Sequence, residues 1–223
     1  MFDLVIFDCD GVLVDSETIS NRVLAQTLSA CGLPTTPEQA VEFYKGRILR
    51  DVTARAEERH GAPLPDGWIE KFEADRAIAF KNELSAIDGA RETVEAVKAA
   101  GVDVCVGTQG KPSKTKLTLG ITGLRELFDE DAIFTAYEVP RGKPFPDLFL
   151  HAAQARGADP ARTAVIEDTV LGVTAGVAAG MTVFGYATET PAEAIAAAGG
   201  QPFELMSQVP ALLGLGAGAA STP

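Results

Sequence analysis

Several polar residues of this sequence stand directly behind apolar, strand-forming runs, and their types suit one another chemically. Asp8 and Asp10 follow "LVIF", Thr108 and Gln109 close "VDVCVGTQ", Lys143 sits in "RGKPFPD" after "AIFTAYEV", and Glu167 and Asp168 end "TAVIED". At an extended strand end, residues i and i+2 share a side, so Asp8 and Asp10 can approach one reacting group together while Cys9 points away. Carboxylates crowded into a confined site cannot all ionise without a counter-charge, and hard oxygen donors select Mg²⁺, which readily takes phosphate oxygens. With an ammonium (Lys143) and a hydroxyl (Thr108) opposite, the set is equipped for phosphoryl transfer. One carboxylate can attack phosphorus to form an aspartyl-phosphate while the other handles the proton. Gly11 lets the chain turn sharply just beyond the pair.

Such residues meet only if the strands carrying them lie side by side and parallel. Short β-rich runs recur at Leu4, Val102, Ala132, Thr163 and Met181, with helical patterns between most of them, which predicts an α/β core: a Rossmann-like parallel sheet covered by helices. In such a sheet, ligands bind beyond the carboxyl ends of the strands, where these polar residues fall. Helix punctuation agrees. Thr36-Pro37-Glu38-Gln39 and Thr190-Pro191-Ala192-Glu193 read as N-cap, proline and an acid or amide at the third position, and Gly32, Gly101, Gly157 and Gly180 sit where helices should stop. From Ser16 to Ser85 the alternation breaks and only helical segments appear. The predicted organisation is therefore a core of residues 1–15 and 86–223 with a small helical cap, 16–85, inserted after the first strand. Two chain crossings form its hinge.

Composition bounds the partners. The 223 residues are 46% hydrophobic and 22% charged, ordinary for a globular protein, with a formal net charge of -12. That balance argues against a nucleic acid or an anionic membrane surface as partner, so an anionic ligand would need a locally basic site. Cys9, Cys31 and Cys105 are odd in number and widely spaced, which suits reduced thiols in a cytoplasmic protein. No apolar segment reaches the ~18 residues of a membrane span. Residues 214–223, in a run of small residues, are expected to be poorly ordered.

Alone, each of these polar residues is more often a turn, a cap or a solvated surface group. Together and in order, "DCDGVLVDSE", "GTQG", "GKPFPDLF" and "IEDT" resemble the four signatures of the haloacid dehalogenase superfamily, in its phosphatase and β-phosphoglucomutase-like branch with a helical cap. The resemblance covers nearly the whole chain. It implies that Asp8 is the nucleophile and Asp10 the general acid, then base. It implies that Thr108 and Lys143 hold the phosphoryl group, with Gln109 contributing its backbone N–H. Mg²⁺ would be held by the Asp8 carboxylate, the Asp10 carbonyl and Asp168, with Glu167 acting through a water. Haloacid dehalogenases proper and phosphonoacetaldehyde hydrolases lack the second aspartate, so Asp10 points to a phosphatase acting on a small ester such as a sugar phosphate, phosphogluconate or phosphoglycolate.

Two alternatives accompany that reading. A β-phosphoglucomutase-like mutase would carry a hinge histidine where Ser20 stands. A phospho-accepting signalling module shares the acid cluster, Thr and Lys, but needs neither Asp10 nor a cap. In the cap, "YKGRILRD" supplies Lys45 and Arg47 as candidate readers of the ester's leaving portion, and Lys111 is a similar candidate in the core. The enzyme is expected to act as a monomer.

Overall fold

A computed structural model describes residues 1–45 and 47–215. The expected disorder at the C-terminus therefore lies, from residue 216 onward, outside the described residues.

The sheet is parallel throughout. β1 (Leu4–Phe7) lies at its centre between β2 (Asp103–Thr108) and β4 (Thr163–Glu167), with β3 (Ile133–Thr135) outside β2 and β5 (Thr182–Tyr186) and β6 (Gln201–Phe203) outside β4. Every residue of β1 and β4 is buried, which explains why their sequences read as continuous runs: both faces are covered by helices. Phe7 pairs with Val106 on one side and Ile166 on the other. The ladder continues as the Asp8 amide donates to the Ile166 carbonyl at 2.9 Å. This register brings the residues following β1, β2 and β4 to one edge of the sheet.

Four helices follow β1: α1 (Glu17–Ala30), α2 (Pro37–Tyr44), α3 (Leu49–His60) and α4 (Trp68–Glu83). They bury a hydrophobic cluster of their own, built on residues such as Leu28, Tyr44, Trp68, Phe72 and Phe80, apart from the cluster around the sheet. Burial of each such side chain stabilises by about 1.5–3 kcal/mol. Thr36 caps α2 as expected, in a reciprocal box with Gln39. The two crossings run beside each other: the Asp15 amide donates to Ser85, the Ile87 amide to Leu13, and Val14 bridges Ala86.

The chain returns to the sheet through α5 (Ala90–Ala99). After β2 comes α6 (Pro112–Ile121), before β4 comes α7 (Asp147–Ala155), and α8 (Val170–Ala178) follows β4. α9 (Ala192–Ala197) and α10 (Val209–Leu212) complete the described chain. Two details differ from expectation. Thr190 does not cap α9: Pro191 holds the cap position and no side chain bonds there. β6 adds a sixth strand, a three-residue edge segment with two exposed residues and a proline, too short to carry a periodic signal.

Candidate active site

Lys143 organises the strand edge. Its ammonium is buried and reaches Asp8 Oδ1 at 2.6 Å and Glu167 Oε1 at 2.5 Å, so one cation bridges two carboxylates. Burial alone would favour loss of its proton, but Asp8 and Glu167 outweigh that and hold its pKa above the ordinary lysine value. Gln109 fixes the backbone behind it, accepting from the Lys143 amide at 3.2 Å and donating to the Lys143 carbonyl at 3.3 Å. The second Glu167 oxygen accepts from the amides of Asp168 and Thr169, each at 2.9 Å. Thr169 caps α8 by accepting from Gly172, so a helix start and a strand end share one network. Thr108, buried beside them, accepts from the Gly110 amide at 3.0 Å.

Asp8, Glu167 and Asp168 place carboxylate oxygens within 4.8 Å of one another. Burial, then the Glu167 and Asp10 charges, push Asp8 up to about 7 against the pull of Lys143. Burial and the same crowding raise Asp168 well above the carboxylate range. Asp168 Oδ1 is buried without a hydrogen-bond partner among the described residues. Gly11, at φ 80°, passes so close that a Cβ there would stand 2.4 Å from Asp168 Oδ2. An orphaned acceptor among hard, crowded oxygen donors fits a divalent cation such as Mg²⁺.

Asp10 stands apart from that cluster. Its carboxylate receives Lys114 and the Ser16 hydroxyl, both in short contacts. Burial would raise its pKa, but Lys114, Ser16 and Arg76 together hold it below the usual carboxylate range. Its side chain faces Lys114 and Ser16, away from the oxygens of Asp8, Glu167 and Asp168. Both Glu167 oxygens have partners, Lys143 on one and the Asp168 and Thr169 amides on the other.

A cavity of about 110 Å³ lies between this edge and the helices α1–α4, lined by Asp8, Asp10, Thr108, Gln109 and Lys143 from the sheet side. Lys45, Arg47 and Lys111 line it too, with different surroundings. Lys45 pairs with Glu189 at 2.6 Å and lies 3.6 Å from Asp168; Lys111 pairs with Glu73 of α4 at 2.8 Å, a link from core to helical insert; Arg47 is exposed at the rim. Sequence reasoning missed Ser16, Glu17, Arg76 and Lys114. Lys114 had a signal, three residues after Lys111 and so on the same face of α6. Arg76 had one too: it interrupts the apolar row Phe72–Phe80 at four-residue spacing.

Comparison with known proteins decides the family, because the family model of haloacid dehalogenase-like hydrolases matches residues 2–180. The chain belongs to the haloacid dehalogenase-like hydrolases. Among curated relatives, this hydrolase is 32% identical to the 6-phosphogluconate phosphatase of Escherichia coli strain K12 over 211 residues, 94% of each chain. It is 31% identical to hexitol phosphatase A of the same organism, over 84% of this chain and 83% of the relative. Among solved structures, a haloacid dehalogenase family hydrolase from Deinococcus radiodurans with bound phosphate and sodium superposes with a TM-score of 0.76 at 34% identity, covering 96% of both chains. These relatives place the hydrolase on the phosphatase side of its family.

Proposed function

We propose that this hydrolase is a Mg²⁺-dependent phosphatase that hydrolyses a small sugar-phosphate monoester through an aspartyl-phosphate on Asp8. The observation that carries the reading is the Lys143 bridge: an ammonium holding a carboxylate in place at the strand end, beside an orphaned metal-type oxygen and facing a cavity. Relatives named for phosphogluconate and hexitol substrates support the sugar-phosphate class. Asp8, Asp168 and the Asp10 main chain would hold the metal. When bound, Mg²⁺ would neutralise the crowded carboxylates and polarise a phosphoryl oxygen.

In the first step an Asp8 oxygen forms a bond to phosphorus as the ester oxygen departs, and Asp10 gives that oxygen its proton. In the second, water attacks phosphorus, Asp10 takes the water's proton, and the Asp8–phosphorus bond breaks. Lys143 and Thr108 bind the equatorial oxygens, where charge accumulates. Lys114 holds Asp10 in the ionised form that the second step uses, so the first step requires Lys114 to loosen as the ester enters. Glu167 keeps the Lys143 ammonium aimed at Asp8. The helical insert acts as a cap, with the paired crossings at Val14 and Ala86 as its hinge, and closure excludes bulk water from the first step. Ser20, which lines the cavity, has no imidazole to relay a proton to a sugar hydroxyl, and this favours water over the mutase's acceptor. The three unpaired cysteines suit a reducing cytoplasm.

Release of inorganic phosphate from an aryl phosphate and a sugar-phosphate panel, with Mg²⁺ or with chelator, tests the proposal. Hydrolysis that needs both the metal and Asp8, lost in Asp8→Asn, is expected. Equal rates in chelator would overturn it.

A further inference from the structure

The cavity's positive charges are not equivalent. Lys45, Lys111, Lys114 and Lys143 each have a carboxylate partner, and Arg47 lies at the exposed rim. Arg76 is different. It lines the cavity from α4, yet its guanidinium has neither hydrogen bond nor ion pair among the described residues. It is not loosely placed: Cζ lies 4.5 Å from the ring centre of Phe72 and 5.9 Å from that of Phe80, both rings being buried. Lys114 Nζ lies 5.9 Å from the same Phe80 ring, so two cations share one aromatic wall. Only Lys114 is neutralised there, by Asp10. Burial among these rings pulls the Arg76 pKa below its ordinary value, by more than the nearby Asp10 and Glu73 charges offset.

A planar fork of N–H donors held against aromatic faces is the geometry that receives a carboxylate in two parallel hydrogen bonds. One uncommitted guanidinium inside the cavity matches a single negative charge. On α1, Glu17 and Asn21 line the same cavity and are bonded to each other at 3.2 Å, offering an acceptor and a donor to substrate hydroxyls.

We propose that Arg76, flanked by Lys114, is a carboxylate subsite, and that the substrates are phosphorylated sugar acids, with phosphate at one end and carboxylate at the other. This rests on the phosphatase reading above and narrows it, since a neutral polyol phosphate would leave the half-buried guanidinium unpaired.

The test compares two esters that share one open carbon chain and differ only at C1: 6-phosphogluconate, a carboxylate, and glucitol 6-phosphate, a hydroxymethyl compound. Native enzyme is expected to favour the carboxylate by at least about tenfold in kcat/KM, the scale of a charge-assisted pair. Arg76→Met is expected to cut kcat/KM for the carboxylate at least about tenfold more than for the polyol. Because the comparison is a ratio within one variant, a general loss of folded protein cannot imitate it. Release from both esters without discrimination, or equal losses in Arg76→Met, would overturn the subsite and leave the phosphatase standing. Preference for fructose 1,6-bisphosphate over the sugar acid would also overturn it, by assigning a dianion to Arg76. No release from any ester, an aryl phosphate included, would remove the phosphatase reading and the subsite with it.

Discussion

The two aspartates of the first strand end have opposite surroundings, as the proposed division of work between them requires. Asp8 shares one ammonium with Glu167 and is pushed up by burial, whereas Asp10 has Lys114 and the Ser16 hydroxyl to itself. Replacing Lys114 by methionine removes the largest opponent of burial at Asp10, so the Asp10 pKa must rise. The limb of the kcat/KM–pH profile that reports a protonated Asp10 is expected to move to higher pH in Lys114→Met; a limb that stays in place would deny Asp10 the acid role. The spacing of Asp8 and Asp10 was legible in the sequence, as were Thr108, Glu167 and Asp168, because strand ends put them on one edge whatever the details of packing; Lys143, in the loop after β3, was legible from its place between Gly142 and Pro144. Lys114 and Arg76 were not singled out. Both are helix residues whose reach into the cavity depends on how α4 and α6 sit against the sheet, which is tertiary information.

At the scale of elements, the site depends on a helix start pressed against a strand end. Glu167 accepts from the Asp168 and Thr169 amides that lead into α8, and Gly172, in that helix's first turn, leaves room for it: a Cβ at Gly172 would stand 1.8 Å from Glu167 Oε1. Alanine is intrinsically better than glycine in a helix by about 1 kcal/mol. Overpacking costs about 1–3 kcal/mol, and here it also displaces the carboxylate that aims Lys143. Gly172→Ala is therefore expected to lower both Tm and kcat, measured by thermal unfolding and phosphate release. A variant that gains Tm at full activity would show that Glu167 does not position the site. The same scale explains what the sequence could and could not disclose. Long strands such as β2 and β4 and the capped helix α2 announce themselves by apolar runs and a capping box. β6 and the start of α9 are short edge pieces settled by tertiary contacts.

For the molecule as a whole, the carboxylate cluster links stability to pH and to metal. Asp8 goes from 3.8 to about 7 on folding, and Asp168 rises as well. Between those values the unfolded chain has released a proton that the folded chain keeps, so stability falls as pH rises. The contribution is fully present below the unfolded value and is lost as pH passes through the folded one. In chelator, Tm of the native protein is expected to fall more steeply than that of Asp8→Asn between about pH 4 and about pH 8. Mg²⁺ should restore more Tm at the alkaline end, because binding competes with those protons. Parallel slopes for the two proteins would mean that Asp8 is not strained by its neighbours.

The fold exists, on this account, to let Asp8 carry a phosphoryl group for an instant between ester and water. The most direct test is a rapid acid quench of the native enzyme turning over a phosphate ester radiolabelled in its phosphoryl group, followed by isolation of the labelled peptide. Label is predicted on the peptide bearing Asp8, absent from Asp8→Asn. Turnover with label on any other residue, or with no protein-bound phosphate at any quench time, would contradict it.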